Sequence, residues 1–165
     1  MLENSFSLEL NRKQVFKTSE GSGKSGSFFF LTHDNRFMIK TVTTKELNIM
    51  LDILPSYIEH NLTYPDSLIA KIFGVFTVKR EGMEPVILCL MENTVQLKSP
   101  EMLRYKFDLK GSTHNRRTEG IVTSKTDRKD IDFLELKEKE PEKLSFAEIN
   151  KHLTVILKRD ILYLK

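Results

Sequence analysis

The sequence has a single cysteine, Cys89, and this scarcity excludes any disulfide within the chain. One thiol is consistent with a reducing compartment, where cysteines stay unpaired. The longest apolar runs fall short of the roughly 18 residues that a membrane-spanning helix needs, and the N-terminal residues contain no apolar segment of signal-peptide length. We therefore expect a cytosolic protein.

Strong net charge and internal repeats are also missing. The chain of 165 residues carries a formal net charge of +3, which is too weak to indicate a nucleic acid as partner. Its hydrophobic content of 39% suits one compact unit that is large enough to bury a core. The composition therefore predicts a folded domain, whose function has to be inferred from its motifs.

A glycine-rich loop is the stretch around which the other elements are arranged. It is not a Walker phosphate loop, because that pattern requires a glycine where the sequence has Thr18 and a helix where Phe28–Leu31 predict a strand. Glycines that flank a lysine still let backbone N–H groups approach an anion closely. The candidate loop residues are Gly21, Gly23, Lys24, Ser25 and Gly26.

The elements after this loop follow the order of a kinase-type nucleotide site. A turn at His33-Asp34-Asn35 separates the first strand from a second, Phe37-Met38-Ile39, which ends on Lys40. In such sites a glycine-rich hairpin covers the phosphates and a lysine on the next strand pairs with them. The alternative is an ordinary Gly/Ser hairpin, in which Lys40 would only reach the surface.

A helix follows Lys40. Thr43 and Glu46 form a capping-box pattern, and apolar residues continue at helical spacing until Pro55, which we expect to kink or divide the helix. In a kinase site this helix supplies a carboxylate that holds the lysine. Glu46 is the best-placed candidate for that role, although capping the helix would also explain it.

The remaining pattern predicts mainly strands, one linker and a last helix. Weak alternation predicts a short strand before residue 20, and residues 68–79 and 86–91 predict a hairpin, with Cys89 as a small buried hydrophobe. Residues 103–109 alternate as a half-buried strand, whose polar face ends in Asp108 and Lys110. Residues 137–142 are typical of an exposed linker, and residues 146–164 of an amphipathic helix with a capping box at Ser145 and Glu148.

Two motifs together resemble one family. The stretch GSGKSGSFFFLTHDNRFMIKTV resembles the glycine loop and lysine strand of the phosphatidylinositol phosphate kinases, and FDLKGST resembles their signature motif. The two motifs occur in the family's order, and the likeness covers roughly Thr18 to Lys165. The resemblance implies an α+β fold, in which an antiparallel sheet with flanking helices forms the nucleotide-side lobe. It predicts a lead-in at residues 1–17 and a kinase domain portion at residues 18–165.

The resemblance also implies roles for individual residues. ATP would be held by the loop residues named above and by Lys40, which Glu46 would orient, with the hinge at Glu92 and Asn93 near the adenine. Lys110 would assist at the transferring phosphoryl group, and Asp108 would position Lys110 or the headgroup. The family places its metal-binding and catalytic acids in later MDYSLL and IID segments, so Mg²⁺ ligands are expected outside this chain. We accordingly expect the 165 residues alone to be inactive.

A basic segment suggests a membrane surface. Residues 104–129 contain eight Lys or Arg against three Asp or Glu, and they are densest at Arg116-Arg117. Such a segment attracts anionic headgroups, although an ordinary basic loop would have the same composition. We expect Lys110, Arg116 and Arg117 to face a phosphoinositide at the cytosolic face of a membrane. In the family the Asn115 position is usually glycine, which leaves the local turn in question.

Two functions from different classes fit these features. The first is a lipid kinase that transfers the ATP γ-phosphate to an inositol hydroxyl of a phosphatidylinositol phosphate. The second is a module that binds phosphoinositide membranes, or forms a homodimer, without turnover. The sequence specifies neither which phosphoinositide is phosphorylated nor at which ring position, because in the family that choice resides in a segment this chain does not contain.

Overall fold

The computed structural model describes residues 2–12, 19–20, 27–95, 99–123, 126–144 and 150–165. Strands and helices are mixed, and the larger sheet is antiparallel, so the expected α+β class is confirmed. The chain divides into two compact units, residues 1–96 with 155–165 and residues 97–154. Each unit is described by itself.

The first unit is built on a five-stranded antiparallel sheet. Its strands are β1 (Ser19–Glu20), β2 (Phe28–Leu31), β3 (Phe37–Val42), β4 (Ile72–Arg80) and β5 (Met83–Glu92), in the spatial order β1-β2-β3-β5-β4. The β2–β3 and β4–β5 hairpins lie where the sequence predicts them. Gly82 has a φ of +74° in the tight connection between β4 and β5, a conformation that glycine adopts without strain.

The short strand predicted to lead into the glycine-rich loop is found as β1, with residues 13–18 outside the described ranges, whereas residues 2–12 are largely helical. They form α1 (Leu2–Ser5) and α2 (Leu8–Arg12). Side-chain hydrogen bonds hold them to the turn after β2: Ser5 Oγ donates to Asp34, and the His33 N–H donates to Asn11 Oδ1. Polar side chains, rather than the backbone of a neighbouring strand, hold these residues in place. Alternation of apolar residues along the sequence does not predict such contacts.

The core of the sheet includes Phe37 and Cys89. Phe37 is 5% exposed and packs edge-on against Phe73 at a centroid distance of 5.2 Å. Cys89 is 3% exposed, and burial raises the pKa of its thiol. The prediction that Cys89 is a small buried hydrophobe is confirmed.

Helix α3 (Thr44–Thr63) begins with the predicted capping box, in which Glu46 N donates to Thr43 Oγ1 and Thr43 N donates to Glu46. The helix runs continuously through Pro55, so its expected division there is wrong. Pro55 lacks the N–H that would reach the carbonyl of Leu51. Leu51 is 56% exposed, so water can hydrate that carbonyl and one lost hydrogen bond is tolerated.

Helix α5 (Asn150–Tyr163) confirms the predicted last helix over these residues, while Ser145 and Glu148 lie outside the described ranges. The portion of α5 from residue 155 onward belongs to the first unit, where it is anchored by Asp160, which is 4% exposed. His60 of α3 lies 3.0 Å from Asp160 Oδ1, and the Leu68 N–H donates to Asp160 Oδ2 at 2.7 Å. One buried carboxylate therefore ties α5 to α3 and to the segment that leads into β4.

The second unit has less regular structure than the alternation predicts. The strand expected at 103–109 is reduced to β6 (Lys106–Phe107), which pairs in parallel with β7 (Asp127–Arg128). The segment expected as an exposed linker at 137–142 is exposed except at Glu140, but it is not a linker, because residues 137–139 belong to helix α4 (Asp130–Lys139) and a 3₁₀ turn follows at Pro141–Leu144. Phe107 packs edge-on against Phe133 of α4 at 5.3 Å, and this contact explains the apolar side of the short strand.

Candidate functional site

Lys40 lies on β3 between its two neighbouring strands, opposite Phe29 of β2 and Cys89 of β5. Its Nζ donates to Oε1 of Glu46 in the first turn of α3 at 2.9 Å. The side chains of Lys40 and Glu46 are 26% and 35% exposed, so the pair lies at the surface of the sheet and can be reached from solvent. The strand lysine and the helix carboxylate are therefore paired, as the kinase-type order predicts.

Glu46 performs both roles that the sequence left open. While Oε1 accepts from Lys40, Oε2 accepts from the Thr43 N–H at 2.7 Å and from Thr43 Oγ1 at 3.0 Å. The backbone N–H of Thr43, followed by the Lys40 ammonium, lowers the pKa of Glu46 to about 2. The capping box therefore fixes an ionised carboxylate beside Lys40.

The glycine-rich loop itself, Gly21, Gly23, Lys24, Ser25 and Gly26, lies outside the described residues. Its two flanks are described: Ser19 pairs with Phe29 and Glu20 pairs with Phe28, antiparallel. A strand therefore precedes the loop and another follows it. This arrangement agrees with the exclusion of a Walker loop, which leads into a helix.

The hinge candidates Glu92 and Asn93 lie at the end of β5. The Glu92 N–H donates to the carbonyl of Lys71, and the Asn93 N–H donates to that of Arg36. The Asn93 side-chain amide donates to the carbonyl of Asn35 at 2.7 Å. Because these donors bind within the sheet, adenine recognition here would have to use other backbone atoms of the hinge.

The DLKGST motif lies in the second unit, and its acid and base are paired. Lys110 Nζ lies 2.9 Å from Asp108 Oδ1, and the guanidinium of Arg116 lies 3.3 Å from Asp108 Oδ2. Lys110 first and Arg116 next lower the pKa of Asp108. The side chain of Lys110 is 62% exposed, so its ammonium group can exchange Asp108 for another anion.

Arg116 and Arg117 differ in their surroundings. Arg116 is only 15% exposed and binds the carboxylates of Asp108 and Asp130, as well as the carbonyl oxygen of Asp108. Arg117 is 57% exposed and pairs with Glu135 of α4. Arg117 is therefore the more accessible charge of the two, whereas Arg116 holds the loop together.

Asp130, the first residue of α4, is a member of this cluster to which sequence reasoning assigned no site role. It is 8% exposed and accepts from the N–H groups of Lys110 and Gly111 at 3.0 and 2.8 Å. Arg116 Nε donates to its other oxygen at 2.8 Å. An acid ahead of the apolar element at residues 131–136 was the available signal, but acids at helix starts usually only complement the helix dipole, and Arg116 lies 14 residues earlier.

Asn115 has a φ of +54°, the left-handed conformation that a glycine would adopt most easily. Asparagine tolerates this region better than most other residues with a side chain, so the local turn forms with Asn115 in place.

Asn115→Ala should lower the free energy of unfolding by about 1 kcal/mol, since alanine is strained at positive φ. Asn115→Gly should cost less, although both variants remove the same side-chain amide. Urea unfolding of the two variants measures the difference. Equal losses would show that the left-handed backbone is not what asparagine provides here.

Across the described ranges, no three His, Cys, Asp or Glu side chains are grouped so that they could hold a metal ion. In the same part of the chain no helix is both long and apolar enough to cross a membrane.

A hairpin sheet with a strand lysine held by a helix carboxylate defines a kinase-like nucleotide lobe. The family model described as phosphatidylinositol-4-phosphate 5-kinase matches residues 10–165. The chain belongs to this family, and the resemblance seen in the sequence is confirmed.

Individual relatives agree with the family model. The chain is 44% identical over 114 residues to phosphatidylinositol 4-phosphate 5-kinase 1 of Arabidopsis thaliana, a match covering 67% of this chain and 15% of that protein. It is 40% identical over 132 residues to a probable phosphatidylinositol phosphate kinase of Dictyostelium discoideum, covering 78% of this chain and 18% of that protein. The chain thus spans less than a fifth of the length of these curated relatives.

Proposed function

We propose that the protein phosphorylates a phosphatidylinositol phosphate on its inositol ring, using ATP. The observation that carries this proposal is the 2.9 Å ion pair between Lys40 and Glu46. An unpaired lysine samples many rotamers, whereas this one is held by a carboxylate that two Thr43 groups fix in turn. Preorganised charge of this kind is what stabilises a transferring phosphoryl group.

Lys40 has the right chemistry for ATP phosphates. An ammonium group has three donors, so the bond to Glu46 leaves donors for phosphate oxygens. Lys24, with the other glycine-loop residues, would cover the phosphates. Lys110, exposed on its loop, would neutralise charge on the phosphoryl group as it moves. Bound Mg²⁺ would supply further neutralisation, with its ligands expected outside this chain.

The names of the relatives support a more specific substrate. We infer that the acceptor is phosphatidylinositol 4-phosphate and that the 5-hydroxyl is phosphorylated. The test incubates the longest natural form of the protein that contains these residues with γ-labelled ATP and vesicles. Each vesicle sample contains phosphatidylinositol or one of its three monophosphates. The expected product is labelled phosphatidylinositol 4,5-bisphosphate, identified by its deacylated headgroup.

The same assay separates the kinase from the alternative. A phosphoinositide-binding or dimerising module would bind the vesicles, or form dimers visible by light scattering, and yield no labelled lipid. Label on another phosphoinositide would preserve the kinase and change only its acceptor. Absence of any labelled lipid, with binding intact, would overturn the proposed reaction.

We also propose peripheral binding to anionic membranes through the accessible charges Lys110 and Arg117, which Arg116 supports from within the loop. Arg117→Glu should weaken co-sedimentation with vesicles containing phosphatidylinositol 4-phosphate at low salt. Removal of the positive charge alone should lower vesicle affinity about fivefold, and the negative charge of the new glutamate should lower it further. Lys158→Glu on α5 is a matched charge reversal outside the basic segment and should have little effect. Equal behaviour of both variants at low salt would favour the ordinary basic loop.

A further inference from the structure

The Lys110–Gly111 turn is held by a side chain distant in sequence. Asp130 Oδ1 accepts two consecutive backbone N–H groups, those of Lys110 at 3.0 Å and Gly111 at 2.8 Å, across separations of 20 and 19 residues. Gly111 has a φ of +69°, a conformation that favours glycine, and two consecutive N–H groups that converge in such a turn suit an anionic acceptor. The carboxylate of Asp130 occupies the place that a bound anion would take.

The second oxygen of Asp130 connects the turn to the charged side chains. Arg116 Nε donates to Asp130 Oδ2 at 2.8 Å, and the same guanidinium reaches Asp108, the partner of Lys110. Asp130 and Arg116 are 10% and 15% exposed as side chains, whereas those of Asp108 and Lys110 are 40% and 62% exposed. The buried pair is thus the support, and the exposed pair is what a ligand can meet.

Asp132 gives the neighbouring segment the same kind of support. Its Oδ2 accepts from the Thr118 hydroxyl at 2.6 Å, the Thr118 N–H at 3.1 Å and the Lys129 N–H at 2.8 Å. The first turn of α4 therefore holds both ends of the segment that carries Arg116 and Arg117. A rigid helix end sets the position of an otherwise irregular loop.

From this geometry we propose that Asp130 is a positioning residue for phosphoryl transfer. It holds the Lys110–Gly111 turn, and through Arg116 the Asp108 carboxylate, so that the Lys110 ammonium is presented in one place. The role assigned to Asp130 is to place these groups and not to act on ATP or lipid itself. This inference rests on the proposed function, in which Lys110 assists at the transferring group.

The first experiment tests the contact without any reaction. Amide hydrogen exchange of the whole chain is followed by NMR for Asp130→Asn and for Asp127→Asn, a matched change at an exposed acid that pairs with Lys106. Asparagine keeps the shape of Asp130, but it replaces one acceptor oxygen with an NH₂ group. That group faces a donor of either Arg116 or the turn and cannot accept its hydrogen bond. Exchange at Lys110 and Gly111 should rise about tenfold in Asp130→Asn and stay unchanged in the control. Asp130→Glu, which keeps the charge but is one methylene longer, serves as a second variant should the first unfold.

The second experiment asks whether Asp130 acts through Lys110. Lys110→Ala, Asp130→Asn and the double variant are compared in the longest natural form of the protein. We expect Asp130→Asn to lower kcat about tenfold or more with little change in the KM for ATP, because a misplaced group loses transition-state contacts. The double variant should be no slower than Lys110→Ala alone. A merely structural Asp130 would instead add its full loss to that of Lys110.

The outcomes separate this inference from the proposed function. Additive losses, or unchanged exchange at Lys110 and Gly111, would overturn the role of Asp130 and leave the kinase intact. Normal turnover in Lys110→Ala would remove Lys110 from the reaction, and the positioning role with it, even if exchange at the turn still rose. The inference would be supported if the double variant were no slower than Lys110→Ala and if amide exchange at Lys110 and Gly111 were faster in Asp130→Asn.

Discussion

Replacing Lys40 with methionine is expected to lower kcat about a hundredfold or more while the protein stays folded. Methionine has an apolar stem similar to that of lysine and suits a strand position flanked by β2 and β5, so what is lost is the charge beside Glu46. Removal of one preorganised charge at a transferring phosphoryl group typically costs on the order of 3 kcal/mol. Steady-state kinetics with labelled ATP and vesicles, beside a thermal unfolding curve, measures both parts of the expectation.

Three further variants sharpen this result. Lys79→Met makes the same change on the exposed end of β4 and should leave turnover unchanged. Glu46→Gln keeps Lys40 charged but weakens its anchor, so an intermediate loss is expected. Lys24→Met should cost less than Lys40→Met, because backbone donors of a glycine-rich loop can partly replace a loop lysine. Near-normal turnover in Lys40→Met, or a larger loss in Lys24→Met, would make the loop lysine the main phosphate ligand.

The Lys40–Glu46 pair was predictable because local signals and the order of elements agree. The predicted strand reaches Lys40, and a capping box three residues later places Glu46 in the first turn of the next helix; in the structure β3 continues to Val42, directly before that cap. Strand register and helix start together fix where the two side chains meet. Sequence could not decide between capping and lysine binding, since one carboxylate has enough acceptor sites for both.

The support for Lys110 could not be predicted in the same way. Its turn is held by Asp130, some 20 residues later, and no periodic pattern connects the two. Residues 103–109 alternate as a strand does, but a ladder also needs a partner, and β7 offers only Asp127–Arg128. Periodicity predicts which face of a segment is apolar, but it does not predict which strand, if any, pairs with that segment. The geometry of this loop, which buried ion pairs determine, is therefore the feature of the site that could be learned only from the structure.

The N-terminal helices show the same limit on a smaller scale. The weak alternation from which a short strand was predicted extends into residues 2–12, yet the hydrogen bonds from Ser5 to Asp34 and from His33 to Asn11 give short helical turns there a polar anchor. Helices of this length have little intrinsic stability, so their contacts decide whether they form. The predicted boundary between a lead-in at 1–17 and a domain at 18–165 stays a prediction.

The second large effect is expected at Asp160, where α5 meets α3. Its carboxylate accepts from His60 at 3.0 Å, from the Ser67 hydroxyl at 3.1 Å and from the Leu68 N–H at 2.7 Å. His60 is itself 6% exposed and stacks on Tyr163 at a centroid distance of 4.3 Å. Burial alone would raise the pKa of Asp160, but the hydrogen bonds from Leu68, His60 and Ser67 outweigh it and lower the pKa.

Asp160→Ala should lower the free energy of unfolding by about 3 kcal/mol at neutral pH, because it leaves buried donors without an acceptor. For a chain of this length the midpoint of thermal unfolding should fall by about 6 to 12 °C. Asp66→Ala is the matched control: Asp66 is 43% exposed as a side chain and pairs with Arg159, so its loss should be well under half as large.

The difference between wild type and Asp160→Ala should also depend on pH with a definite sign. A carboxyl group whose pKa is lower in the folded than in the unfolded protein stabilises the fold above its ordinary value of 3.8, and this contribution is lost as the pH falls below that value. Urea unfolding at pH 7 and at successively lower pH down to 3 measures the trend. A gap that stays constant across this range, or a loss no larger than that of Asp66→Ala, would show that the ionised carboxylate of Asp160 is not what joins α5 to α3.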